Sequence, residues 1–91
     1  MLTLNVSQAR ITEIHLPIVD NKNYTCSLIY TLTVLDNKGN ITTLLSKSIS
    51  VIYPLTTAVP TMAAMAAQVK ADVLSYWSAT VDSVYIGGTS Y

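Results

Sequence analysis

Five basic and five acidic residues, 11% of a 91-residue chain, cancel to zero net charge, where soluble domains are about one quarter charged. A chain of this length holds one core, and without an excess of either sign no long-range field steers a polyanion, so a nucleic-acid groove is not expected. The apolar fraction of 51% favours folding over disorder, and a charge-poor surface at zero net charge favours association over free solution.

Cys26 is the sole cysteine, which excludes an internal disulfide and a cysteine-rich zinc site. The first twenty residues alternate polar with apolar and include Arg10, Glu13 and Asp20, unlike a secretory signal. No charge occurs from Ser48 to Val69, yet Pro54, Pro60 and several hydroxyl residues interrupt that stretch, so it reads as a strand end, a loop and a helix start rather than a membrane span.

Period-two alternation dominates the first two thirds. Leu2, Leu4 and Val6 alternate with polar residues over 2–7, and Ile14, Leu16 and Ile18 do so within 10–19, predicting two strands. Pro17 makes the second an edge or ends it nearby. From 24 to 35, Tyr24, Cys26, Leu28, Tyr30, Leu32 and Val34 share one face. Asp36-Asn37-Lys38-Gly39-Asn40 supplies a turn, and 41–53 runs back with Lys47 interrupting its apolar side. The segment Asp20-Asn21-Lys22-Asn23 echoes the Asp36 turn, which points to shared turn chemistry more than to duplication.

After Pro60 the period becomes 3.6. Thr61 suits an N-cap, and Met62, Met65, Ala66, Val69, Val73, Tyr76 and Trp77 form one stripe, predicting an amphipathic helix over 61–79 with Tyr76 and Trp77 as core. A short strand over 84–86 follows, and 87–91 reads as a flexible tail. The expected architecture is a single α+β domain over 1–86: an antiparallel meander of three to five strands with one helix on its apolar face.

The residues offer little chemistry. His15, the only histidine, and Cys26 fall on opposite sides of the sheet by parity, no basic neighbour activates the thiol, and Asp72 and Asp82 are misphased for an acid/base pair. The three glycines lie in a hairpin and the tail rather than in a phosphate loop. No catalytic, cofactor-binding or metal site is expected.

The informative feature is the sheet face away from the core. Counting Ile11, Glu13, His15 and Leu35 among its twenty positions, only Glu13 is charged. One helix covers one face of a sheet, so the second meets water or a partner. The residues expected at such an interface are Thr25, Ser27, Ile29, Thr31 and Thr33 on one strand, Leu44, Ser46, Ser48 and Ile52 on the next, and Tyr85 and Tyr91 near the C-terminus. Guards such as Lys and Pro are scarce along the strands.

A Met-initiated chain with strand pairs around Asp-Asn-Lys-Gly-Asn, an Ala-rich helix from Met62 to Trp77 and a short aromatic tail from Val84 to Tyr91 resembles small virion proteins of tailed bacteriophages. The resemblance implies a capsid-decoration, neck or tail component, made in the host cytoplasm and resident in the virion. It implies assembly as a homo-oligomer or on other structural proteins of a particle, without catalysis. The rival expectations are a small module that binds carbohydrate or another ligand on the Ser/Thr face, and an intracellular regulator.

Overall fold

A computed structural model describes residues 6–91. They form a five-stranded sheet of order β3-β2-β1-β4-β5, with β1 over Val6–His15, β2 over Asn23–Leu35, β3 over Ile41–Pro54, β4 over Val84–Ile86 and β5 over Thr89–Ser90. Among the described residues one helix, α1, spans Met62–Trp77. The fold is α+β, as the periodicities predict. Residues 2–5 of the strand expected over 2–7 lie outside the described residues.

β2 lies between β3 and β1, and its sequence shows why. Tyr24, Cys26, Leu28, Tyr30, Leu32 and Val34 are all buried, while the intervening residues are all half-exposed, the signature of a strand paired on both edges and covered on one face. The turns on either side of it use the same chemistry. Asp20 Oδ1 accepts the N–H groups of Lys22 and Asn23 at 2.7 and 2.9 Å, and Asp36 Oδ1 accepts those of Lys38 and Asn40 at 2.8 and 2.9 Å. Both carboxyls are thereby held below their ordinary range, Asp20 chiefly by Lys22 and Asp36 chiefly by Asn40. Gly39, at φ +84°, takes the left-handed position in the second turn.

β1 departs from the expected alternation. Its register against β2 slips between Val6 and Gln8 and again between Ile11 and Glu13, so the strand holds two bulges. Each extra residue inverts the side-chain phase. Ala9 and Ile11 therefore turn inward and are buried, Ile14 packs against the same core after the second bulge, and Arg10 points outward. The outward placement of Ile11 is corrected accordingly. Among the described residues one strand runs from Val6 to His15 across the gap between the predicted strands and ends before Pro17, and Leu16 and Ile18 are exposed rather than core.

After β3 the chain crosses the apolar face as α1 and enters β4 parallel to β1, pairing Ala9 with Val84 and Ile11 with Ile86. The sheet is thus mixed, not wholly antiparallel. The Thr61 hydroxyl accepts the Ala64 N–H at 3.1 Å at the helix start, and Ser78 in the left-handed conformation closes its end. Met65, Ala66, Val69 and Val73 are buried against Cys26, Leu28, Tyr30 and Leu32. Met62 and Tyr76 share the phase of that stripe but sit in the first and last turns, beyond the packed rows, and Tyr76 is 62% exposed; neither is core. Residues 87–91 are not a loose tail: Gly87 and Gly88 turn the chain back so that β5 pairs with β4, and Val84 and Tyr91 exchange backbone hydrogen bonds at 3.0 and 2.9 Å.

A candidate interface: one face and one edge of the sheet

The described residues measure 51 × 29 × 17 Å, a slab only one sheet and one helix deep. The face opposite α1 is bare, and the strand registers arrange it in rows: Leu44, Thr33 and Gln8; Ser46, Thr31 and Arg10, with Tyr85 beyond; Ser48, Ile29 and Glu13; Ser50, Ser27 and His15; then Ile52 and Thr25. The interface residues expected on β2 and β3 lie side by side here, half-exposed on β2 and exposed on β3. Their hydroxyls partly satisfy one another, Thr31 with Ser46 at 3.2 Å and Ser50 with Ser27 at 3.3 Å. Leu44 and Ile52 are 62% and 64% exposed at the two ends of β3.

The first bulge adds a charge to this face that simple alternation had turned inward. Arg10 lies on it beside Glu13, but its guanidinium donates to the Gly87 carbonyl at 2.7 Å and stacks 5.4 Å from the centre of the Tyr85 ring. Tyr85 thus belongs to the face, half-buried under Arg10. Tyr91 does not: it stands opposite Val84, whose side chain enters the core, and directly opposed residues share a side of the sheet. His15 Nε2 is 3.2 Å from Glu13 Oε2, both exposed on this face, whereas Cys26 is buried on the other, so the sole histidine and sole cysteine do not meet. Burial pushes the Cys26 thiol pKa up.

Beside the face runs an open edge. Among the described residues, β3 has β2 on one side and no strand on the other. Its hydrogen-bonding parity follows from the flanks. The Leu55 N–H donates to the Lys22 carbonyl at 2.8 Å in the same register, so the odd residues of β3 bond to β2; the Thr25 N–H, opposite Ile52, donates away from β3 to the Pro17 carbonyl at 2.9 Å. The N–H and C=O groups of Leu44, Ser46, Ser48, Ser50 and Ile52 therefore point off the sheet. Pro54, at the next even position, lacks an N–H where none is needed by β2.

The one charge on this 14-residue strand is already engaged. Lys47 Nζ lies 2.9 and 3.0 Å from the Asp72 carboxylate oxygens on α1 and 4.5 Å from the centre of the Tyr76 ring. The same carboxylate accepts the Tyr30 O–H, and the Tyr30 oxygen accepts the Trp77 indole N–H at 3.0 Å. Burial, then the Asp72 contact, raise the Tyr30 hydroxyl far above its ordinary pKa. The sequence signal for this network was present in Lys47 breaking an apolar face and Asp72 at the helix boundary; what periodicity lacked was the alignment of α1 over β3.

Between β3 and α1 a groove of about 590 Å³ opens, floored by Ile49 and Val51 and walled by Gln68, Ala71 and Ser75. Gln68 donates to the Tyr53 hydroxyl at 2.5 Å, and its Oε1 is buried without a partner among the described residues. Among the described residues no three metal-ligating side chains cluster, and no helix is long and apolar enough to cross a membrane. No protein-family model, curated protein or solved structure matches the chain.

Proposed function

We propose that this chain is a non-enzymatic structural subunit that works by assembly, joining copies of itself or docking on a larger scaffold. The observation that carries this reading is the contiguity of a bare, hydroxyl-rich face with an unpaired strand edge on which the one charge, Lys47, is bound within its own chain. Monomeric β-proteins guard such edges with free charges, bulges or a covering loop. Here β3 has an irregularity only near its start, where Thr42 is the extra residue, and from Thr43 to Ile52 it runs in unbroken register against β2. The resemblance to small phage virion proteins supports placing the subunit in a virion, as a head-decoration, neck or tail component.

Sedimentation equilibrium of the purified chain at tens of micromolar tests self-assembly: concentration-dependent association supports it, and a monomer at every concentration and salt rejects it. A coding region flanked by genes for capsid and tail proteins supports the virion assignment; one set among metabolic genes counts against it.

A further inference from the structure

We infer that β3 pairs antiparallel with β3 of a second copy about a two-fold axis at Ser48, making one continuous ten-stranded sheet from two five-stranded ones. The inference rests on the assembly reading and names its surface, partner and register. The outward N–H and C=O groups of alternate residues from Leu44 to Ile52 are chemically specific for another extended strand, because only such a strand returns donors and acceptors at the same spacing. A second copy fits, since an antiparallel edge is self-complementary under a two-fold axis.

Side chains then select the register. Keeping outward-bonding residues opposite one another leaves three central alignments, with the axis at Ser46, Lys47 or Ser48. An axis at Lys47 sets two lysines face to face, which disfavours it. An axis at Ser46 sets Leu44 against Ser48 and Lys47 against Leu45. The axis at Ser48 sets Leu44 against Ile52 on the open face and Leu45 against Val51 on the helix side. Leu44 and Ile52 are among the most exposed apolar side chains of the described residues, and this alignment covers each with the other. Lys47 then faces Ile49 and keeps its ion pair with Asp72. Because opposed residues of an antiparallel pair share a side, both helices lie on one face of the joined sheet and both hydroxyl-rich faces on the other.

The register is read by cysteine placement. In this alignment the Cα atoms of the two copies of residue 48 are about 5.5 Å apart, within disulfide range, whereas those of residue 46, or of residue 50, are offset by roughly 14 Å. Ser48→Cys should cross-link to a dimer on diamide oxidation while Ser46→Cys and Ser50→Cys do not; buried Cys26 is common to all three. Ser48→Lys should weaken dimerisation by about tenfold or more in sedimentation, with circular dichroism and melting unchanged, since residue 48 sends no backbone bond to β2. Cross-linking at 46 or 50 equal to that at 48, or a dimer that survives Ser48→Lys, overturns the β3 pairing while leaving self-assembly to another surface. A wild-type chain that never associates overturns both.

Discussion

The Lys47 ammonium lies 2.9 Å from the Asp72 carboxylate, joining the edge strand to the helix across the rim of the core. Asp72 is the hub, because it also accepts the Tyr30 O–H. Removing the hub should cost more than removing the cation. Asp72→Ala strands a tyrosine hydroxyl and an ammonium and should lower stability by about 2 kcal/mol, whereas Lys47→Met leaves Asp72 its tyrosine partner and should cost under about 1 kcal/mol. Urea denaturation of the two variants checks the order.

Ile11 and Ile29 are both isoleucines of the sheet interior by pairing, yet the second bulge of β1 sends Ile11 into the core while Ile29 lies half-exposed on the open face. Ile11→Ala should therefore destabilise by about 2–4 kcal/mol and Ile29→Ser by under about 1 kcal/mol, measured by chemical denaturation. Equal costs would mean that β1 keeps strict alternation.

Acid should loosen the hairpins first. Asp20 and Asp36 are held below the ordinary carboxyl value of 3.8 by backbone N–H groups. A depressed carboxyl contributes stability that is present above the unfolded-state value and lost as pH falls through the folded-state value, so the loss falls below pH 3.8. Replacing both residues by Asn retains the side-chain oxygen and removes the charge; the melting temperature of that variant should fall less steeply than wild type between neutral pH and strong acid.

Alkali probes the other side of the molecule. The Tyr30 hydroxyl is raised above its ordinary value of 10.0 by burial and by Asp72. A raised value favours the protonated, folded form, so this contribution is complete below pH 10.0 and is lost as pH rises above it. Tyr30→Phe should be less stable than wild type at neutral pH, with a shallower decline in melting temperature at alkaline pH.

The order of elements was legible because each announces its period: β2 by unbroken alternation, the Asp36 turn by its Asx-Gly chemistry, α1 by a cap and a 3.6-residue stripe. β1 was misphased because a bulge leaves no composition signal; Thr12 is an ordinary strand residue, and only the partner's register reveals it as extra. Tyr76 and Met62 were misplaced because helical phase gives an angle and no position along the axis. The C-terminal hairpin was missed because Gly87-Gly88 is as natural in a flexible end as in a turn, and the parallel step from β3 to β4 depends on where the helix lands. The residues of the bare face on β2 and β3 were recoverable from parity alone, since that part of the sheet is regular. Arg10 was not, because its side depends on the bulges that flank it.

The sheet ends unequally: fourteen residues of β3 on one side and two residues of β5 on the other. A sheet that offers a long strand at one edge and a stub at the opposite one has a single sticky side. Head-to-tail growth into a fibre needs two such sides of comparable length, and the described residues offer one. Pairing through β3 uses up that side in both partners at once. Sheet extension is thereby self-terminating, and any larger particle built from this subunit grows in a different direction, through faces rather than edges.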